Sequence, residues 1–172
     1  MDRFVRGVAF LSRVSGVVAT LLILVSILVV CQMIVVRGIF GLSAYWQTEF
    51  VTYALIAATF IGAPYILMTR GHVNVDILPL LLGHRGRVAL ALLASLIGLA
   101  FCLLVFWSSL DWWYQAFDRG RVTSSMWRAR LWIPYLSVPV GMGLVCLQYV
   151  ADIWALLAGR ALPFGLRPEA RW

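Results

Sequence analysis

Four apolar stretches, residues 14–36, 50–68, 88–110 and 134–157, leave this chain very few folds. A helix needs about 20 consecutive apolar residues to cross the hydrocarbon core of a bilayer, and each stretch is of that order. Lipid offers no partner to a backbone N–H or C=O, so such a segment must satisfy its hydrogen bonds internally, which selects the α-helix. Composition argues against a soluble fold. Of the 172 residues 63% are hydrophobic and 12% charged, with a mean hydropathy of +0.93, which leaves too few polar side chains to cover a water-facing surface. The expected fold class is an all-α integral membrane protein, with four transmembrane helices in a single domain over residues 1–172 and a short interfacial segment between spans two and three. The first stretch, about 23 residues, exceeds the 7 to 15 of a signal-peptide core and lacks a convincing small-residue cleavage site, so it reads as a retained span.

The basic residues choose the orientation. All 14 are arginines, against seven acids, for a formal net charge of +7. Arg3, Arg6, Arg13, Arg70, Arg85, Arg87, Arg160, Arg167 and Arg171 fall on the side of the termini, and Arg37, Arg119, Arg121, Arg128 and Arg130 on the other. Cytoplasmic span ends carry the excess of Lys and Arg, so both termini and the loop between spans two and three are expected in the cytoplasm. Arginines at span ends meet phospholipid headgroups, which makes phospholipid, and not nucleic acid, the partner of this charge. Tyr45, Trp46, Trp107, Trp112, Trp113, Tyr114, Trp127, Trp132 and Tyr135 gather around the outer span ends, as an interfacial aromatic belt should. Cys31, Cys102 and Cys146 lie in separate apolar runs without paired spacing, which suits small packing residues better than a disulfide framework or a metal knuckle.

Within the spans, Ala54, Ala58 and Gly62 recur every four residues on the second, and Ala91, Ser95, Gly98 and Cys102 form a similar stripe on the third. Stripes of small residues let helix backbones approach closely, either inside the bundle or against another protein. Pro139, followed by Gly141 and Gly143, lies early in the fourth span and predicts a kink or an irregular first turn and a half. A broken helix lining an ion site is the sharper reading of that same combination.

No span carries a charged residue near its middle, where an acid would cost about 2.5 to 3.5 kcal/mol and mark a transport or proton pathway. Glu49 opens the second span, either as a solvated acid favoured by the helix N-terminus or as a partner to a basic group on another subunit. Both histidines, His72 and His84, fall in the inner loop, which excludes a bis-histidine haem between spans. Phosphate loops, nucleophile elbows and zinc-protease motifs are absent from the sequence, so neither enzyme chemistry nor a cofactor is expected. One polar element stands out, RGHVNVDIL at residues 70–78, with His72 and Asp76 four apart. Two ligands make an incomplete metal site. The apolar residues between them point instead to an interfacial turn or short helix in which Val73, Val75 and Ile77 enter the lipid boundary.

Three places in the sequence, in order, carry a family resemblance. They are Trp46-x-x-Glu49 opening span two, Gly62 followed by Arg70-Gly71-His72-Val73-x-Val75-Asp76, and Ile133-Pro134 with Ser137-Val138-Pro139-Val140-Gly141 in span four. Together they resemble the small membrane subunit, DctQ type, of tripartite ATP-independent periplasmic (TRAP) transporters. Phe50-Val51-Thr52-Tyr53 departs from the pattern, since relatives often place a further basic residue after Glu49.

The resemblance implies a scaffold in the bacterial inner membrane, docked beside a large membrane subunit. That large subunit imports an organic acid delivered by a periplasmic binding protein, and sodium coupling belongs to it and not to this chain. Trp46, Glu49, Ala54, Ala58, Gly62, Arg70, His72, Asp76, Pro139 and Gly141 become structural or subunit-interface candidates. Arg119, Arg121, Arg128 and Arg130 become candidates for docking the binding protein, or a solvated basic loop. Two other classes remain: a stand-alone small exporter, which wants an acid inside a span, and a redox-enzyme anchor, which wants histidines there.

Overall fold

A computed structural model describes residues 2–41, 45–69 and 84–158 of the chain. They form α1 (Asp2–Phe40), α2 (Tyr45–Met68), α3 (His84–Asp118), a single-turn α4 (Trp132–Tyr135) and α5 (Ser137–Leu157). Among the described residues there is no strand, only an isolated antiparallel bridge between Val122 and Arg130. Four segments, Arg3–Phe40, Tyr45–Met68, Val88–Asp118 and Trp132–Leu157, are long and apolar enough to cross a membrane, and each contains one of the four expected spans.

Two helices outrun their apolar stretches. With 39 residues, α1 extends about 58 Å at 1.5 Å per residue, well beyond a hydrocarbon core of about 30 Å. Hydropathy marks only the part of a helix that lipid covers, whereas the backbone can stay helical into the headgroup region. The end of α3 is set by Gly120 in the left-handed conformation (φ 54°), with Arg121 N–H donating to the Ala116 carbonyl and Gly120 N–H to that of Phe117. That is a Schellman cap, and a glycine supplies it without steric cost. The interfacial segment expected between spans two and three lies outside the described residues.

At the centre of the bundle stand α2 and α5, with α1 laid chiefly on α2 and α3 on α5. The buried side of α1 is Val8, Ser12, Ser15, Ala19 and Ser26, positions three, four or seven apart and therefore on one helix face. All are small, so α1 approaches α2 closely: a Cβ on Gly62 would stand 3.0 Å from that of Ala19, and one on Gly16 would strike the Tyr65 ring. Between α3 and α5 the core is Cys102, Met142, Val145 and Cys146, backed by Phe106 and Tyr149. Cys102 and Cys146 thus pack as small apolar groups, while Cys31 is exposed.

The α2–α5 contact depends on a proline in each helix. Pro64, inside α2 and fully buried, has no N–H, so the carbonyl of Phe60 loses its i+4 donor. Gly141 of α5 lies directly against that carbonyl, and a Cβ there would collide with it. The Cα–H that occupies this direction makes the weak contact a bare carbonyl can accept. In the fourth span, Pro139 likewise withholds an N–H from Tyr135, and the helix is interrupted at Leu136, three residues before the proline. Leu136 keeps right-handed helical angles (φ −60°, ψ −28°), and the Ser137 hydroxyl donates to the Pro134 carbonyl at 2.6 Å. The expected irregularity therefore dislocates the hydrogen-bond ladder while the helical course continues into α5.

Gly141→Ala is expected to destabilise the bundle by about 1 to 3 kcal/mol, the usual cost of overpacking, and to lower the Tm of the purified protein in detergent. Gly38→Ala, where an added Cβ meets nothing within 4 Å, should leave the Tm unchanged.

Candidate functional site

The end of the bundle opposite the termini carries a folded basic loop. After the cap at Gly120 the chain turns back on itself: Thr123 N–H donates to the Ala129 carbonyl at 3.0 Å and Leu131 N–H to that of Arg121 at 3.0 Å. The Thr123 hydroxyl accepts from Ala129 N–H at 3.1 Å and lies 3.0 Å from the Ser125 hydroxyl. These bonds hold Arg128 at φ 48°, a left-handed conformation that is uncommon and costly for a residue with a Cβ. Beneath the loop, Phe117 stacks on Trp113 and meets Trp132 edge-on, each at 5.8 Å, which ties the loop's two stems together. Arg119, Arg121, Arg128 and Arg130 are all exposed on this frame, and none pairs with a described acid. Four like charges on one folded loop create a local positive field.

At the same end, α2 opens with Trp46, which is exposed and packs edge-on against Phe50 at 6.5 Å. Glu49 is half-buried, and its Oε2 is shielded from solvent without a hydrogen-bond partner among the described residues. Gln47, two residues before Glu49, is buried. Its amide donates to Gln32 of α1 at 3.4 Å, while its own Oε1 has no partner among the described residues.

Ala54, Ala58 and Gly62 are buried inside the chain. The second-span stripe therefore serves the bundle's own packing, the intramolecular of the two alternatives left open by the sequence. The third-span stripe behaves similarly, with Ala91 and Cys102 buried and Gly98 against the Tyr149 hydroxyl. Pro139 and Gly141 are buried as well, in the α2–α5 contact. Arg70, His72 and Asp76 lie outside the described residues. Among the described residues no group of three or more His, Cys, Asp or Glu side chains converges.

One polar cluster was missed from sequence. Near the terminal end of the bundle the Ser12 hydroxyl donates to Gln148 Oε1 at 2.8 Å, and Gln148 Nε2 donates to Asp152 Oδ1 at 2.9 Å. The Ser15 hydroxyl adds a bond to the Ser12 carbonyl at 2.8 Å, and Ser12, Ser15 and Gln148 are all buried. This relay pins α1 to α5. The sequence signal for it was a lone amide, Gln148, one helical turn before the acid of span four.

These features define a multi-pass helical membrane protein whose helices are closely locked together and whose end opposite the termini displays four exposed arginines on one folded loop. Residues 26–159 match the family of tripartite ATP-independent periplasmic transporters, DctQ component, and the chain belongs to that family. It is similar to the C4-dicarboxylate TRAP transporter small permease protein DctQ of Pseudomonas aeruginosa, at 32% identity over 69% of this chain and 58% of that protein. It also resembles the protein of the same name from Vibrio cholerae, at 21% identity over 74% of this chain and 64% of that protein. The chain thus spans under two thirds of the length of either relative.

Interhelical hydrogen bonds in membranes contribute about 0.6 kcal/mol on average and up to about 1.7. A double-mutant cycle of Ser12→Ala and Gln148→Leu, read by reversible unfolding in mixed micelles, is expected to give a coupling in that range. Additive effects would show that the bond does not join the helices energetically.

Proposed function

We propose that this chain is the small scaffold subunit of a sodium-gradient-driven TRAP importer of organic acids. It would work beside a large membrane subunit and receive a periplasmic binding protein. The match to the DctQ component family across residues 26–159 carries this reading. The bundle adds physical support: the buried Ser12 and Gln148 side chains bond to each other between α1 and α5, and the central helices are locked by a backbone-to-backbone approach. Such a body holds position in a bilayer, which a moving transport domain needs from its neighbour. Sodium and substrate would bind on the large subunit, with no cofactor on this chain. The names of both relatives make C4-dicarboxylates the first substrate class to test.

In this reading both termini are cytoplasmic, in accord with the arginine distribution, and the basic loop faces the periplasm. Arg119 and Arg121 would steer an acidic patch of the binding protein. The shielded Glu49 Oε2, without a partner among the described residues, would accept a hydrogen bond from the large subunit, since a buried acceptor left unmatched costs about 1 to 3 kcal/mol. In the same reading Arg70, His72 and Asp76 would serve the contact with the large subunit.

The test is to co-express the chain with the large subunit and the binding protein encoded beside it, and to measure sodium-dependent uptake of a C4-dicarboxylate into proteoliposomes. Arg119→Glu with Arg121→Glu is expected to slow uptake by about tenfold at low salt, the scale on which exposed charges alter encounter rates, while the subunits still co-purify. Unchanged uptake at every ionic strength would remove these arginines from docking, and failure of the large subunit to co-purify with the unaltered chain would overturn the scaffold role.

A further inference from the structure

The two remaining arginines of the basic loop sit differently from Arg119 and Arg121. Arg128 and Arg130, together with Trp127, line one end of a groove of about 850 Å³. The groove runs down between α1, α2 and α5, past Leu22, Tyr53 and Ala57, and reaches Val18, Ile61 and Val140 at its deep end. Apart from Tyr53, Trp127, Ser137 and the two arginines its walls are apolar, and the Ser137 hydroxyl is already engaged by Pro134.

Three properties single out one kind of occupant. Along α2 the lining extends from Phe50 to Ile61, about 16 Å at 1.5 Å per residue, which equals the depth of one leaflet of a hydrocarbon core about 30 Å thick. The charge lies at the shallow end only, where an interfacial tryptophan marks the headgroup level. Arg128 is fixed there by backbone bonds that hold it in the left-handed conformation, so its guanidinium is presented by a rigid turn. An apolar trough of leaflet depth with two guanidinium groups at its mouth matches a molecule with an acyl chain and a phosphate anion. We propose that this groove is a specific site for an anionic phospholipid of the leaflet on the basic-loop side, with an acyl chain between α1, α2 and α5 and its phosphate on Arg128 and Arg130. Glu49, the acid nearest the mouth in sequence, is not among the lining residues.

The site requires neither a binding protein nor transport, so it stands apart from the function proposed above. Its test uses the full chain in mild detergent and native mass spectrometry, with added phosphatidylglycerol or phosphatidylcholine of identical acyl chains. One phosphatidylglycerol should be retained about thirtyfold more tightly than phosphatidylcholine, the ratio that two arginines at about 1 kcal/mol each give at a membrane surface. Arg128→Gln with Arg130→Gln should abolish that preference, whereas Arg119→Gln with Arg121→Gln should keep it. Ala57→Phe, which fills the groove and leaves the charge in place, should weaken phosphatidylglycerol binding as well. Equal retention of the two lipids would overturn the site, as would an equal loss in both arginine pairs or wild-type affinity in Ala57→Phe. Photo-crosslinks from position 57 to the large subunit in the assembled complex, with phosphatidylglycerol excluded, would reassign the groove to a protein partner.

Discussion

The bundle depends on a carbonyl without its usual donor. Pro64 removes the N–H that would have capped Phe60 within α2, and in lipid an abandoned carbonyl has no water to turn to. Gly141 brings the α5 backbone against it, which is possible only because the residue has no Cβ. Everything else is arranged around that approach. It sets the α2–α5 spacing, around which α1 lies on α2 through its serines and alanine while α3 packs on α5 through Cys102 and its neighbours. Without a hydrophobic drive between helices in lipid, close packing of small residues and interhelical hydrogen bonds must supply the association, and this chain uses both.

The polar groups divide by position along the bundle. Near the termini, Ser12, Gln148 and Asp152 bond to one another and join the first helix to the last. At the opposite end, the arginines stand on a loop stiffened by its own backbone bonds and by the Trp113–Phe117–Trp132 stack. The first arrangement joins α1 to α5, and the second displays positive charge at the other end of the bundle.

Much of this was legible from residues alone. The four spans follow from hydropathy because lipid permits only closed hydrogen bonding, and the Trp46, Gly-His-x-x-Val-Asp and Pro139-Val140-Gly141 elements already resembled the family to which the chain belongs. The stripe Ala54, Ala58 and Gly62 was recognisable as a contact face, but periodicity cannot name the surface it meets. Pro64 leaves no mark on the hydropathy pattern, since an apolar run reads the same with or without an N–H. Gln148 carries no charge to mark it inside the span, although an amide in hydrocarbon also demands a partner.

The sequence by itself therefore determined the fold class, the number of spans, the irregularity at Pro139 and the family, because each depends on local composition and short spacings read against the fixed thickness of a bilayer. The tertiary structure decided which helices neighbour one another, that the small-residue stripes are consumed within the chain, and that Ser12 meets Gln148 across 136 positions of sequence. It also separated the four arginines, placing Arg128 and Arg130 on the lining of a groove between α1, α2 and α5. The physical reason is that helix pairing in lipid depends on the fit of facing surfaces, and that fit exists only once the helices are assembled.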